Sequence, residues 1–279
     1  MRQPPDAFQG AVSRPPPEAP RGVLSLPADA EGVAYQRVAP LPELAPFIAH
    51  FWMVRWERRG KSAFVAETLP HPCVQVLFEE GRGLVAGVQT RLFRRRLEGE
   101  GHVFGIKFRP AAFHPVLRAP LSQLRDRVVS LRSVFGPDSN TWKDALLQAT
   151  DVERCVALAE GFLKEQLPAM PPRTAELRDL VERLAGDAHI LRVEQAAALA
   201  GLEVRSLQRL FATAVGVSPK WVLQRYRLHQ AAEQLTRAAP ADGASLALEL
   251  GYFDQPHFIR SFKAAVGRPP GAHARKSGP

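Results

Sequence analysis

A chain of 279 residues is long enough for two domains that each bury a core, and 46% apolar residues is ordinary for a globular protein. A formal charge of +9 at pH 7 and a pI near 10.1 suit a polyanionic partner or an anionic membrane surface. Two cysteines, Cys73 and Cys155, exclude a disulfide framework and give no zinc spacing. In chain order, residues 1–30 are rich in proline, including Pro15-Pro16-Pro17, and read as a disordered or extended arm. Residues 31–170 open in β texture, with short apolar stretches at Phe64-Val65-Ala66, Cys73 to Phe78 and Val103 to Phe108. Gly81, Gly83, Gly87, Gly99 and Gly101 punctuate them, while Gln75, Lys107 and Arg109 interrupt their runs at alternate positions, as half-buried strands do. The expected architecture here is a β-rich domain, barrel-like or a sandwich.

After Pro110 the period lengthens. Asp138–Leu147, Asp151–Leu167 and Thr174–Leu184 carry apolar residues three and four apart, the spacing of amphipathic helices. The first two are expected to pack on the β domain, with a dimer surface as the alternative. Pro168, Pro171 and Pro172 then form a stiff link, and residues 171–279 read as a separate, all-α domain. The fold class is therefore α+β, a β-rich domain with helices followed by a helical one. Upstream, Arg91, Arg94, Arg95 and Arg96 form a basic cluster that reads as a solvated strand face.

The last third of the chain contains a repeat. Arg205–Pro219 aligns with Pro256–Pro270, 51 residues on, with identities at Arg209/Arg260, Phe211/Phe262, Ala214/Ala265, Val215/Val266, Gly216/Gly267 and Pro219/Pro270. Each copy follows a short apolar segment and a glycine, Gly201 or Gly251. Helix, glycine-bearing turn and second helix make the helix-turn-helix pattern, here twice. In the first copy Leu207, Leu210, Phe211 and Ala214 share one face, leaving Arg205, Gln208 and Arg209 for a partner. Gln255, His257 and Arg260 take that place in the second, where Asp254 reads as the N-cap. Arginine and glutamine are the side chains that pair bidentately with guanine and adenine edges in the major groove. Ser218-Pro219 starts a long joining helix to about Leu235. Lys220, Arg225, Arg227 and Lys263 are candidates for phosphate contact, which positions a protein without reading sequence.

Leu199-Ala-Gly-Leu, Leu207-Gln-Arg-Leu-Phe, Gly216-Val-Ser-Pro219 and Leu250–Pro270 resemble the AraC/XylS family of bacterial transcription regulators. The likeness covers residues 191–274 and implies a seven-helix DNA-binding domain with two helix-turn-helix units joined by a long helix. The stretch after the final proline, Gly271-Ala-His-Ala-Arg275, departs from the Tyr-Arg pair commonest in the family. Leu44-Ala-Pro-Phe-Ile, Phe51-Trp, Leu69-Pro-His-Pro-Cys-Val and Phe104–Pro110 resemble a β-rich sensor domain attached to some members. The resemblance implies promoter DNA and RNA polymerase as partners, and a small-molecule effector or a homodimer through the N-terminal domain.

Other readings stay open. An architectural DNA binder without an effector is one alternative, although the glutamines and arginines on the outer faces argue for sequence preference. A metal or redox sensor using His71 and Cys73 is another. Catalysis is not expected, because no third group is identifiable to orient His71 beside Cys73. No cofactor is expected. With no basic start before an apolar block and no membrane-length apolar run, the expected location is the cytoplasm, with no membrane partner.

Overall fold

A computed structural model describes residues 22–25, 32–237 and 243–277. Most of the proline-rich arm lies outside them. Its described piece is not free chain: Val23–Ser25 is a strand, β1, paired antiparallel with Phe64–Thr68 (β4).

Two antiparallel sheets make the N-terminal half. β1, β4 and Phe93–Leu97 (β7) form a three-stranded sheet with β4 in the middle. The six-stranded sheet runs in the order β2 (Val33–Val38), β3 (Ile48–Arg58), β8 (Gly99–Phe108), β5 (Gln75–Glu79), β6 (Arg82–Ala86) and β9 (Val128–Ser130). The arrangement is an open sandwich rather than a closed barrel. Side-chain alternation gives the six-stranded sheet two different faces. Phe51 and Met53 on β3, Val76 and Phe78 on β5, and Phe104 and Ile106 on β8 turn to one side. They are covered there by Trp142 and Leu146 of α3 (Ser139–Gln148) and by Cys155, Val156, Ala159 and Leu163 of α4 (Val152–Gln166). Both helices thus pack on the β domain, the expected role. On the other side Trp52, Trp56 and Val103 meet Phe64, Ala66 and Leu97 of the smaller sheet.

The basic cluster is not a uniformly solvated face. Arg95 points between the sheets, pairs with Glu79 and lies 5.3 Å from the Trp56 ring centroid. Arg94 donates from Nε to Glu67 of β4 at 3.0 Å. Strand pleating sends these neighbours to opposite sides, which a run of like charges does not reveal.

A short helix α1 (His114–Leu117), a 3-10 turn (Leu121–Leu124) and α2 (Leu131–Phe135) complete this half. Seven described helices follow: α5 (Pro172–Gly186), α6 (Val193–Leu199), α7 (Val204–Ala214), α8 (Pro219–Arg237), α9 (Gly243–Glu249), α10 (Gln255–Val266) and α11 (Pro270–Ser277). They surround two cores. One joins Leu177 and Val181 of α5, Ala196 and Ala197 of α6, Leu207 and Phe211 of α7, and Val222 of α8. The second joins Leu228 and Leu235 of α8, Leu246 and Ala247 of α9, and Phe258 and Phe262 of α10. Helix α8 belongs to both, which is why it is long and why little of it is free.

Candidate nucleic-acid interface

The two helix-turn-helix units are built alike down to their backbone hydrogen bonds. α6 ends in a Schellman turn, in which Leu202 N–H donates to Ala197 O at 3.0 Å and Gly201 N–H to Ala198 O at 3.1 Å. α9 ends the same way, with Tyr252 N–H on Ala247 O and Gly251 N–H on Leu248 O, both 2.9 Å. Each turn needs a residue in the left-handed region, and the glycines supply it with φ of +62° and +69°. The second helix of each unit then begins at corresponding residues, Val204 and Gln255. Its start is secured differently in the two copies. The Asp254 carboxylate accepts from His257 N–H at 2.6 Å, whereas Glu203 makes no side-chain cap. Between the copies, Ser218 Oγ accepts from Trp221 N–H at 3.2 Å and starts α8.

Packing sorts the side chains as amphipathic spacing requires. Leu207, Phe211 and Ala214 of α7 are buried, as are Phe258, Phe262 and Val266 of α10. Arg205, Gln208 and Arg209, and Gln255, His257 and Arg260, are all exposed. Arg209 and Arg260 sit five residues past the starts of equivalent helices, each on the outer face. Lys220 and Lys263 are exposed as well.

Two of the expected phosphate contacts are placed differently. Arg225 is 4% exposed. Its Nη2 donates to Thr90 O of the N-terminal domain at 2.5 Å, its guanidinium lies 4.6 Å from the Trp221 ring centroid, and burial pulls its pKa down to about 10. Arg227 is half-buried and donates to Leu191 O just ahead of α6, and burial lowers its pKa too. Both guanidiniums are engaged inside the protein because α8 is wrapped on most sides. Sequence spacing on a helix shows which residues share a face, not how many faces are covered.

One side chain at this surface stood outside the sequence reading. Phe253, directly before the Asp254 cap, is 89% exposed. Its neighbour Tyr252 is buried against Phe258, with ring centroids 5.3 Å apart. The two adjacent aromatics of Tyr252-Phe253, with room for one in the core, were the available signal. An apolar side chain at the N-terminal edge of such a helix suits a thymine methyl group.

His71 and Cys73 do not form an activated pair. The His71 ring lies 4.2 Å from that of His229 on α8, so it is part of the contact between the two halves. Cys73 is buried, and burial pushes its thiol up to about 11, which keeps it protonated at neutral pH. Among the described residues, no group of three or more His, Cys, Asp or Glu side chains is placed to hold a metal ion. No described helix is long and apolar enough to cross a membrane.

Comparison with known proteins separates the halves in the same way. Residues 196–276 match the model of a helix-turn-helix domain family, and residues 36–130 match a domain of unknown function (DUF6597). Among solved structures, the chain is similar to an AraC-type DNA-binding domain-containing transcriptional regulator from Chromobacterium violaceum. They are 21% identical over 38% of this chain and 94% of that one, with a TM-score of 0.35. The C-terminal domain of AraT, a response regulator from Geobacillus stearothermophilus, is 23% identical over 39% and 88%, with a TM-score of 0.34. ToxT from Vibrio cholerae aligns over 88% of this chain and 98% of its own at 8% identity, with a TM-score of 0.39.

Proposed function

We propose, on the premise that residues 196–276 form a helix-turn-helix DNA-binding domain of the AraC/XylS type, that this chain regulates transcription by reading promoter DNA with α7 and α10. The observation that carries this reading is the exact correspondence of two turns and two outer faces, with Arg209 and Arg260 exposed at equivalent positions. Arg205, Gln208 and Arg209 of the first unit, and Gln255, His257 and Arg260 of the second, make the base contacts. Lys220 and Lys263 contact phosphates. Arg225 and Arg227 join them only if their bonds to Thr90 and Leu191 open. With α8 holding the units apart, α7 and α10 enter successive major grooves about 34 Å apart.

The N-terminal domain is the effector-responsive part in this reading. Its support is the grip on the DNA-binding half. Glu67 on β4 accepts from Arg268 Nη1, between α10 and α11, at 2.5 Å, while Thr90 holds Arg225 of α8. A change in the sheets is therefore felt by the helix that spaces the two units. RNA polymerase and a second copy of the chain are the further partners this reading carries.

Selection of bound sites from a random duplex DNA pool with the full-length protein tests the proposal. An enriched motif with two blocks about one helical turn apart is the expected result. A flat, salt-sensitive profile points instead to architectural binding through phosphates alone.

A further inference from the structure

The six-stranded sheet is filled unequally on its two faces. Phe51, Val76 and Ile106 turn toward the helices and are fully buried. The register sets His50, Lys107 and Gln75 side by side across β3, β8 and β5, with Trp52, Gly105 and Leu77 in the next row. Directly opposed residues in an antiparallel pair share a face, so both rows look toward the smaller sheet. His50, Trp52, Gln75, Leu77 and Lys107 are only half-buried. Lys107 is nevertheless so enclosed by protein that burial lowers its pKa. This polar row, part covered by protein, part open to solvent and walled by the Trp52 indole, forms a recess.

The recess offers hydrogen-bond donors and few acceptors. Among the described residues the Lys107 ammonium has no hydrogen-bond or ion-pair partner. Trp52 Nε1 donates to Gln75 Oε1 at 3.0 Å, which occupies the amide oxygen and leaves the amide N–H groups to donate. The Trp52 indole lies flat across Gly105, where a Cβ would come within 2.2 Å of the ring, and so makes a wall. Arg37 and Arg109 add positive potential at His50, which burial holds neutral. Glu182, within electrostatic reach of Cys73, is already taken by Arg109 Nη1 at 2.6 Å. A half-buried ammonium without a counter-ion favours an anion seated beside it.

We propose that this recess binds the carboxylate of a small organic acid, with Lys107 as counter-ion, Gln75 as second donor and Trp52 as the wall for the acid's apolar part. The proposal rests on the effector reading above and gives the ligand a chemical class. Its test needs no DNA, so its failure is separate from failure of the promoter reading, which site selection reports.

The full-length protein is titrated with sodium acetate, butyrate and cyclohexanecarboxylate, against sodium chloride at equal ionic strength and against neutral cyclohexanecarboxamide. Tryptophan fluorescence and the thermal unfolding midpoint are followed. At least one carboxylate is expected to give a saturable fluorescence change and a raised midpoint, with no such response to the amide. Lys107→Met keeps the side-chain length, removes the unpaired charge and is expected to fold at least as stably. It is expected to weaken binding at least tenfold, and Gln75→Leu to weaken it by less. Silence from all three acids, an equal response to the amide, or binding unchanged in Lys107→Met overturns the proposal.

Discussion

At the scale of single residues, environment decides what a side chain does, and His50 is the clearest case. Burial first, then the charges of Lys107, Arg37 and Arg109, lower its pKa from 6.5 to about 3. The folded value lies below the unfolded one, so between about pH 6.5 and 3 the unfolded chain binds a proton that the folded chain does not. Stability therefore falls as the pH drops through that window. Urea unfolding at pH 7 and pH 4.5 is expected to show wild type losing up to about 2 kcal/mol more than His50→Gln, at 1.36 kcal/mol per pKa unit less solvent screening. Parallel losses in the two proteins would mean that His50 is protonated in the fold. At the proposed DNA surface, Arg209→Ala and Arg260→Ala are each expected to weaken specific binding by about 1–3 kcal/mol and to relax preference at one base pair. Competition titrations against single-base variants of the selected site read this, and unchanged preference in both variants removes these arginines from base reading.

At the scale of elements, the paired turns permit a direct comparison. A Cβ at Gly201 meets nothing within 4 Å, so Gly201→Ala carries only the left-handed backbone cost of about 1–2 kcal/mol. A Cβ at Gly251 comes within 2.9 Å of Leu191, so Gly251→Ala is expected to be the more destabilising. Equal midpoint shifts in denaturant would sink the comparison. Asp254→Ala removes the one side-chain cap at the start of α10 and is expected to cost about 1 kcal/mol. Asp254→Asn, which keeps an acceptor, is expected to recover most of it. The paired arrangement was legible because the turn glycine and the apolar spacing are local rules that both copies obey, while the Asp254 cap marks the helix start in the second copy alone. Helices α3 and α4 were legible for the same reason, their ends at Ser139, Gln148, Val152 and Gln166 falling within a residue of the spacing-based limits.

For the whole molecule, the junction between the two halves ties the sheets to the helical domain. Glu67 is 5% exposed and bonded to both Arg94 and Arg268. Removing the carboxylate leaves the half-buried Arg268 guanidinium without its ion-pair partner, while Arg94 stays more than half exposed, and an unpartnered polar group of this kind costs about 1–3 kcal/mol. Glu67→Ala is expected to lower the thermal midpoint and to make the α10–α11 end the first region to gain amide hydrogen exchange. Exchange rising first in β3 and β8 instead would show that Glu67 serves the sandwich alone. Gly216 belongs to the same junction. With φ +90° and a would-be Cβ 3.0 Å from Leu121 O, it lets the end of α7 approach the 3-10 turn.

The sequence by itself determined the helical DNA-binding half, its duplicated units and the outward residues of α7 and α10. These follow from periodicity and turn chemistry within some twenty residues of chain. Only the tertiary structure decided which charges are spent indoors. Arg225 meets Thr90, 135 residues away, and Arg268 meets Glu67, 201 residues away. It alone lines up His50, Lys107 and Gln75 from three strands. Strand register and domain docking set those meetings, and both depend on which distant surfaces can be buried against each other, a property that no local pattern contains.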